Sequence, residues 1–412
     1  MTNGRYLSAH EAAESLGVSP ATVYAYVSRG FIRSEASDSS KREHRYYRED
    51  VEHLKERKDI RRNPAQVAAK ALHLGSPVLE SALTLITDGR LYYRGYDVVS
   101  LATTRSVEEV ATLLWLGDFT SGPEPLFSIT SQKLPSRCVT MHKRLSNTLT
   151  DIALVELFQI LLPIAAAEDL AAYDFRPLAV AQTGARILRL LTLAAVGWQH
   201  SEGDIAQTLQ HGWGLPQRTA TVLLQAALIL CADHELNVSA FTARCVASAN
   251  STPYAVVTAG LSALQGAKHG GYTDQVEAFL REVQTLSQVR TIISNRLKRG
   301  ERLPGFGHQL YPNGDPRGKA LLELTARMYP RASSVILGRA IVDYVGQTIG
   351  QYPTIDFALA TLADTLRLPP GAALALFAIG RTIGWIGHAI EQYQLDQLIR
   401  PRAHYVGPMP LT

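Results

Sequence analysis

The chain has 412 residues, of which 46% are hydrophobic and 19% are charged, a composition typical of a globular protein with two or three domains. Its formal net charge of +4 is too small to attract nucleic acid or an anionic membrane through a global field, so acidic ligands need local clusters of cations. Three cysteines without metal-ligand spacing indicate reduced thiols. Without a secretion signal or an uninterrupted membrane-length apolar run, the sequence predicts a soluble cytoplasmic protein.

The first segment of the chain carries the start and stop signals of short helices. Ser8 and Glu11 have the spacing of a capping box that opens a helix, and Gly17 ends it. Ser19, followed by proline, opens a second helix. Two short helices joined by Gly-Val-Ser are typical of a helix-turn-helix. A polar loop, a strand-like HRYY and a charged helix complete the pattern.

This order of elements resembles the MerR-type, or excisionase-like, winged helix-turn-helix domain, and the stretches YVSRGFIRS and RYYREDVEHL carry the resemblance. We assign residues 1–62 to this domain and residues 63–78 to a linker. The resemblance implies DNA as a partner. The cations that would cluster on the second helix and the wing are Arg29, Arg33, Lys41, Arg42 and Arg45.

The charge balance of residues 1–62 leaves a second interpretation open. The segment holds 12 Lys or Arg and 10 Asp or Glu, a net of 12 − 10 = +2. A DNA-binding domain that neutralises several phosphates normally shows a clearer basic face. The alternative is a module for packing or dimerisation whose charges are a solvated face.

The rest of the chain predicts a mainly α fold. Strand-like runs flank Asp88-Gly89, which is a hairpin signal. No dinucleotide-binding, P-loop or zinc motif occurs in a usable context, so no metal site is predicted. Apolar residues recur with helical spacing over 107–117, 150–172, 178–198, 217–232, 253–266, 274–288, 318–328, 334–349, 355–367 and 371–394.

Four of the twelve histidines stand in unusual local sequence. They are His234 in DHELNVS, His269 in KHGGYTD, His308 in PGFGHQLY and His388 in GWIGHAIEQ. A glycine beside a histidine lets backbone or ligand approach closely, which separates His269 and His308 from ordinary core histidines. Each of the four, taken alone, is better explained by a structural role.

Three arginines and one acid extend this set: Arg317 in GDPRG, Arg381 in GRTIGWIGH, Arg400 in LIRPRAHY and Asp356 in YPTIDFAL. An arginine fork suits a carboxylate, although each could equally form a surface ion pair, and Asp356 could be a helix N-terminal charge. Together, the histidines, arginines and acid predict a site that binds a di-acid and removes a proton from a carbon next to a carbonyl. Phosphate recognition would also fit the arginines.

The motifs DHELNVS, KHGGYTD, PGFGHQLYPNGDPRG, YPTIDFAL and GRTIGWIGHAIEQYQLDQLIRPRAHYVGP resemble the successive signatures of the citrate synthase family, in the family's order. LYYRGYDVVSLA and EEVATLLWLGD resemble its earlier landmarks. The resemblance runs from about residue 70 to the C terminus and is dense after residue 220. It implies an all-helical large domain over 79–269 and 371–412, and a small helical domain over 270–370 that closes over the substrates.

The resemblance also implies a role for each site residue. Asp356 would be the base that removes a methyl proton from acetyl-CoA, and His269 the donor that stabilises the enol. His308 would polarise the oxaloacetate ketone and supply a proton as the new bond forms. The ligands of oxaloacetate and citrate would be His234, Arg317, Arg381 and Arg400, the last reaching in from the other subunit of a homodimer.

CoA is expected beside basic loop residues that precede His308, where the alternative is a solvated charge run. These residues are Arg296, Lys298, Arg299 and Arg302. No metal and no separate cofactor is implied, because arginines supply the positive charge and acetyl-CoA is a cosubstrate. Tyr272-Thr273 stands where the family often has Ala-Asn, a departure that bears on the hydrogen bonding around His269 or on the acyl pocket.

The function implied is an acyltransferase that condenses acetyl-CoA with oxaloacetate and hydrolyses the citryl thioester to citrate and CoA. A first alternative is a 2-methylcitrate synthase that uses propionyl-CoA. The extra methylene of its acyl group changes the binding free energy by only about 1 to 3 kcal/mol, so a few pocket side chains decide between the two donors. A second is a DNA-binding regulator whose synthase-like part senses oxaloacetate, citrate or acyl-CoA.

Overall fold

The structure, a computed structural model, describes residues 6–37, 40–52, 54–55, 79–120, 122–128, 136–148, 152–198, 203–215, 218–403 and 405–410. The chain divides between Glu80 and Ser81 into an N-terminal unit, called the head below, and a C-terminal unit, called the body. The predicted linker over 63–78 lies outside the described residues.

Capping signals in the sequence set the helices of the head. Helix α1 (Ala9–Leu16) begins at a capping box, in which the Ser8 hydroxyl accepts from Glu11 N at 3.2 Å and the Glu11 carboxylate accepts from Ser8 N at 2.8 Å. Helix α2 (Pro20–Ser28) begins at Ser19, whose hydroxyl accepts a backbone N–H of its first turn. Both predicted helix starts are confirmed.

A small antiparallel sheet completes the head. Its strands β1 (Tyr6–Leu7), β2 (Ser34–Ser37) and β3 (Ser40–Tyr47) lie in the order β1-β3-β2, and residues 48–52 are helical. The predicted strand HRYY lies within β3, so the winged helix-turn-helix is confirmed. The buried core of the head consists of Leu7, Ala12, Ala13, Leu16, Val23, Ile32, Tyr46 and Val51.

The body opens with a second small sheet. Strands β4 (Thr84–Thr87) and β5 (Arg90–Tyr93) are joined by Asp88-Gly89, whose φ angles of 51° and 71° fit the type I′ turn that this dipeptide favours. Strand β6 (Tyr96–Asp97) pairs with β5. The predicted hairpin is confirmed.

Helices make up most of the rest of the body, and its described residues include 3-10 turns at Leu170–Tyr173 and Leu286–Gln288. In chain order the helices are α3 (Val98–Thr104), α4 (Val107–Leu116), α5 (Glu124–Phe127), α6 (Ser136–Thr148), α7 (Leu154–Ala166), α8 (Pro177–Val196), α9 (Ile205–Gly212), α10 (Arg218–Cys231), α11 (Val238–Ala247), α12 (Pro253–Leu264), α13 (Tyr272–Val283), α14 (Val289–Lys298), α15 (Pro316–Met328), α16 (Ser333–Ile349), α17 (Ile355–Leu366) and α18 (Ala372–Leu395).

Each segment with predicted helical spacing contains a helix, but six helices were not predicted: α3, α5, α6, α9, α11 and α14. Most of these are short, and α6 carries few apolar residues, so the apolar spacing on which the prediction depends is weak there. Helix α14 is a correction, because its last turn contains Arg296 and Lys298, which the sequence placed in a loop.

Two clusters of buried apolar side chains hold the body together. The larger one draws on most of the helices and includes Leu321 and Ile355. The smaller one includes Val276, Phe279 and Phe357. The predicted boundaries between a large and a small domain stay a prediction, because the larger cluster reaches into residues 270–370.

Among the described residues, two helices, α8 and α18, are long and apolar enough to cross a membrane by length and composition alone. Their most apolar windows are 72% and 100% buried inside the body, which is what core helices of a helical protein show. Helix α18 carries Arg381, one of the predicted site residues.

Candidate active site

The site lies where α18 passes close to the end of α10. A Cβ added to Gly384 would lie 2.4 Å from Asp233 Oδ1 and 2.5 Å from Ala232 O, so only glycine permits this approach. Gly384 N also donates to Ala232 O at 2.9 Å. The close packing fixes Arg381, one turn earlier on α18, beside the residues that follow α10, including His234.

Arg381 is a buried cation with an unused donor. Its side chain is 1% exposed, its Nε donates to Cys231 O at 2.8 Å and its guanidinium lies 4.9 Å from the centre of the Phe377 ring. Its Nη2 has no hydrogen-bond partner within the described residues. Burial lowers the pKa of Arg381. An unsatisfied buried guanidinium is costly unless a ligand satisfies it, so this arrangement suits an anion.

Arg317 is the second buried cation, and it is already paired. It is 3% exposed and binds Asp315 through two bonds, Nε to Oδ1 at 3.0 Å and Nη2 to Oδ2 at 2.8 Å. Burial alone would lower the pKa of Arg317, but the Asp315 carboxylate raises it above its usual value. Asp315 Oδ2 also accepts from Ile355 N at 3.1 Å, which ties Arg317 to the start of the helix that carries Asp356.

Three rings meet beside these arginines. The Tyr311 hydroxyl lies 2.9 Å from His234 Nε2, and the centres of the His234 and His308 rings are 5.5 Å apart. His308 Nδ1 accepts from Leu310 N at 3.1 Å, so the proton of the neutral ring is on Nε2. Burial and the Arg317 charge lower the pKa of both histidines, that of His234 far below its ordinary value. Both rings are therefore neutral at pH 7.

His269 lies in the tight turn between α12 and α13. A Cβ on Gly271 would lie 2.4 Å from Gln265 O, so the turn requires a glycine there. The Ser239 hydroxyl lies 2.7 Å from His269 Nε2 and accepts from Trp385 Nε1 at 3.2 Å. Burial, followed by the charges of the two site arginines, lowers the pKa of His269 to about 3. This ring is also neutral at pH 7.

Asp356 is half-buried in the first turn of α17. The Thr273 hydroxyl donates to its Oδ1 at 2.8 Å, and the Thr354 hydroxyl donates to its Oδ2 at 3.3 Å. Burial raises the pKa of Asp356, while the Thr273 hydrogen bond and the Arg317 charge offset part of that rise. A raised pKa makes this carboxylate a stronger base than an ordinary aspartate.

The structure brings six of the predicted site residues together: His234, His269, His308, Arg317, Asp356 and Arg381. The charges of Arg317 and Arg381 both act on His234 and His269, and that of Arg317 acts on His308 and Asp356. Arg400 is different, because it is exposed and forms no ion pair within the described residues. His388, which the sequence singled out, is fully buried with its Nε2 3.2 Å from Asp233 Oδ1.

Two of the four predicted CoA cations are engaged elsewhere. Arg296 Nε donates to Glu282 at 2.9 Å, and Arg299 Nε donates to Glu301 at 2.5 Å. Lys298 is exposed, and in the part of the chain that the structure describes it forms no ion pair; the same holds for Arg302.

Several functional neighbours were missed in the sequence. Ser239 and Tyr311 contact the histidines from other segments, and neither has a local sequence signal. Asp315 did have a local sequence signal, because an aspartate before a proline is typical of a helix N-cap. Thr273 was noted as a departure near His269, yet its hydroxyl binds Asp356 instead.

The predicted DNA-binding cations of the head differ in their contacts and exposure. Arg33 is held by Asp50 and Glu49, and Arg45 lies 5.1 Å from the centre of the Tyr6 ring. Arg29 is exposed at the end of α2. The side chains of the other two, Lys41 and Arg42, lie outside the described part of the structure.

Comparison with known proteins supplies the family. A model described as "Citrate synthase, C-terminal domain" matches residues 73–402, and one described as "Helix-turn-helix domain" matches residues 6–59. A citrate synthase of Haloferax volcanii is 32% identical over 370 residues, which cover 82% of this chain and 95% of that protein. A 2-methylcitrate synthase of Mycobacterium tuberculosis is 28% identical over 374 residues, covering 85% and 92%.

A solved structure supports the fold. It is the ternary complex of a Thermoplasma acidophilum citrate synthase with carboxymethyl coenzyme A and oxaloacetate. It matches with a TM-score of 0.72 and 23% identity, over 84% of this chain and 97% of that one.

Proposed function

Because the chain belongs to the citrate synthase family, we propose that its body condenses acetyl-CoA with oxaloacetate and hydrolyses the citryl thioester to citrate and CoA. The protein is an acyltransferase-type condensing enzyme, and enzymes of this family need no metal or separate cofactor. The observation that carries the proposal is the Asp356 carboxylate, a base of raised pKa next to neutral histidines and two buried guanidiniums.

The two arginines supply the positive charge for the two carboxylates of oxaloacetate. Arg381 offers the nitrogen that has no partner within the described residues, and Arg317 is held in place by Asp315. His234, kept neutral by burial and by these same charges, donates or accepts a hydrogen bond without adding charge. Such fixed donors bind a dianion without reorganisation.

The condensation needs one base and two hydrogen-bond donors. Asp356 takes a proton from the methyl group of acetyl-CoA, and neutral His269 donates to the thioester oxygen as the enol forms. For this donation the ring proton must be on Nδ1, which requires the Ser239 hydroxyl to turn its proton from Asn237 Oδ1, 2.8 Å away, to His269 Nε2, 2.7 Å away. The enol carbon attacks the ketone of oxaloacetate, while His308 donates its Nε2 proton to the developing alkoxide. Water then cleaves the citryl thioester and releases the CoA thiol.

A direct test measures release of CoA thiol by the full chain. Turnover should require oxaloacetate, and the ratio between acetyl-CoA and propionyl-CoA distinguishes a citrate synthase from a 2-methylcitrate synthase. The relative from Mycobacterium tuberculosis keeps the second donor in consideration. Asp356→Asn should abolish turnover yet retain oxaloacetate binding by calorimetry. Unchanged turnover in that variant would remove Asp356 as the base.

Arg400 completes the anion site, we propose, from a second copy of the chain. It lies on an irregular C-terminal segment whose exposed apolar side chains support a partner surface. These are Leu398, Tyr405, Val406 and Met409, between 61% and 88% exposed. CoA, for its part, is expected near Lys298 and Arg302 rather than near the paired arginines beside them.

Complementation tests the shared site. Arg400→Ala and Asp356→Ala should each be inactive, but mixing them in equal amounts should restore about a quarter of wild-type turnover. Half of the exchanged dimers are mixed, and each mixed dimer has one intact site. If Arg400 served its own subunit, mixing would restore nothing.

A second candidate function is DNA binding by the head, in a protein whose body either catalyses or senses its substrates. The match to a helix-turn-helix model favours it, as do the exposed Arg29 and the exposed rings of Tyr24 and Phe31. Salt-dependent retention of DNA by the full chain should weaken in Arg29→Ala. Arg33→Ala is the matched control, because that side chain is engaged with Asp50. No retention at low salt would exclude the function.

A further inference from the structure

Thr273 joins the two groups on which enol formation depends. We propose that it is a positioning residue for the base: its hydroxyl holds Asp356 Oδ1 and thereby leaves Oδ2 as the oxygen that takes the methyl proton. The inference rests on the proposed condensation and adds a residue to it.

The hydrogen bonds to Asp356 distinguish its two oxygens. Thr273 is fully buried, and its hydroxyl donates to Oδ1 at 2.8 Å, a normal distance for a hydrogen bond from a hydroxyl group. The Thr354 hydroxyl reaches Oδ2 only at 3.3 Å, beyond the usual range for an O–H donor. The carboxylate is therefore fixed through Oδ1, while Oδ2 stays available to a proton.

One backbone turn carries both Thr273 and His269. Within it, Tyr272 N donates to His269 O at 3.0 Å, and Thr273 N donates to Gly270 O at 2.9 Å. The turn has little freedom, since a Cβ on Gly271 would lie 2.4 Å from backbone. Because Thr273 links this rigid turn to Asp356, it sets the separation between the base and the donor to the enol oxygen.

Charged and titratable groups from several elements face Asp356. They are Arg317 and Asp315 at the start of α15, Tyr272 in the turn and Cys231 at the end of α10. Burial raises the pKa of Cys231 to about 12 and raises that of Tyr272, so both are uncharged near neutral pH. Replacing Thr273 alters none of these charges. Loss of its hydrogen bond should therefore raise the pKa of Asp356 and move the acid limb of the rate profile to higher pH.

The experiment compares Thr273→Val with Thr273→Ser and with a matched control. Thr361→Val removes a buried hydroxyl from α17 whose one hydrogen bond among the described residues is to Phe357 O, at 2.8 Å. Thr273→Val should lower kcat about tenfold, shift its acid limb upward and leave the KM for oxaloacetate unchanged. Thr273→Ser should restore both the rate and the pH profile. Thr361→Val should change neither.

A second readout does not depend on turnover. The titration of the Asp356 carboxyl is followed by ¹³C NMR in the full chain, and its signal is assigned as the one lost in Asp356→Asn. The titration midpoint should move to higher pH in Thr273→Val and stay unchanged in Thr361→Val. An unchanged titration would overturn the proposal even if the protein released no CoA. An unchanged pH profile in an active Thr273→Val enzyme would overturn it too, as would an equal loss of kcat in Thr361→Val. Absence of CoA release by the unmodified chain contradicts only the proposed condensation.

Discussion

The head and the body each contain an arginine bound to an aspartate through two parallel hydrogen bonds. In the head, Arg33 Nε and Nη2 donate to Asp50 at 2.9 and 2.8 Å. In the body, Arg317 Nε and Nη2 donate to Asp315 at 3.0 and 2.8 Å. The geometry is nearly the same, but the exposed fraction of the arginine side chain is 62% in the head and 3% in the body.

This comparison shows that burial, and not bond geometry, decides what such a pair does. Water and salt screen the charge of Arg33, so its pair with Asp50 contributes little and the guanidinium can be solvated without its partner, even though the Asp50 side chain is only 16% exposed. In the body, neither charge of the Arg317–Asp315 pair has water to replace its partner. Four changes would test or sharpen the contrast.

Asp315→Ala should have the largest effect. It leaves the Arg317 guanidinium buried without its partner, which should lower the free energy of unfolding of the body by about 3 to 5 kcal/mol. The four tryptophans, Trp115, Trp198, Trp213 and Trp385, all lie in the body, so their fluorescence during urea unfolding reports on that unit alone. A loss below about 1 kcal/mol would mean that burial does not govern this pair.

Arg381→Met removes the buried cation that lacks a full set of partners within the described residues. Oxaloacetate binding, measured by calorimetry, should weaken about a hundredfold, because a charge-assisted interaction is lost. The unliganded body should keep or gain stability, since an unsatisfied buried donor disappears. A large loss of stability together with normal binding would reverse the role we assign to Arg381.

The neutral histidines of the body make its stability depend on pH. An unfolded histidine takes up a proton near pH 6.5, whereas folded His269, with its pKa lowered to about 3, does not. The unfolded state then binds more protons, so the free energy of unfolding should fall as pH falls below 6.5. The slope is about 1.4 kcal/mol per pH unit for each such histidine.

Between pH 6 and pH 5, His269→Gln should reduce the pH dependence of the free energy of unfolding by the contribution of one histidine, about 1.4 kcal/mol per pH unit. Tryptophan-monitored unfolding at pH 7.5, 6 and 5 measures it, with His211→Gln, which replaces an exposed histidine of α9, as the control. Equal slopes in the His269→Gln variant and the unchanged protein would show that the folded ring is protonated after all.

Asp50→Ala should have the smallest effect. The charge it exposes on Arg33 is already mostly in water, so hydrogen exchange of the α1 and α2 amides in the full chain should change little. Faster exchange throughout the head would mean that the Arg33–Asp50 pair stabilises its unit as the buried Arg317–Asp315 pair does, and the contrast between the two regions would be lost.

Features that depend on neighbours in sequence could be predicted. A few consecutive residues determine the capping box of Ser8 and Glu11 and the hairpin at Asp88-Gly89, and the structure has both. Long apolar helices such as α18 were predicted for the same reason, because their spacing repeats over many turns.

Features that depend on distant segments could not be predicted. The Ser239 hydroxyl meets His269 across thirty positions, and the Tyr311 hydroxyl meets His234 across seventy-seven. The carboxylate partner of Arg296 lies fourteen positions away on another helix, so the basic stretch alone suggested unpaired cations. The roles of Asp356, His269 and His308 came from a resemblance between motifs, and they stay proposals.

Asp315 has a further property that bears on the choice of base. Its two oxygens accept four hydrogen bonds, three from Arg317 and one from Ile355 N. A carboxylate has about four acceptor positions, so none is left for a substrate proton. Asp356, close enough to feel the charge of Asp315, accepts only from two hydroxyl groups within the described residues. Of the two neighbouring acids, Asp315 is therefore saturated, which supports the proposal that Asp356 is the one that takes the methyl proton.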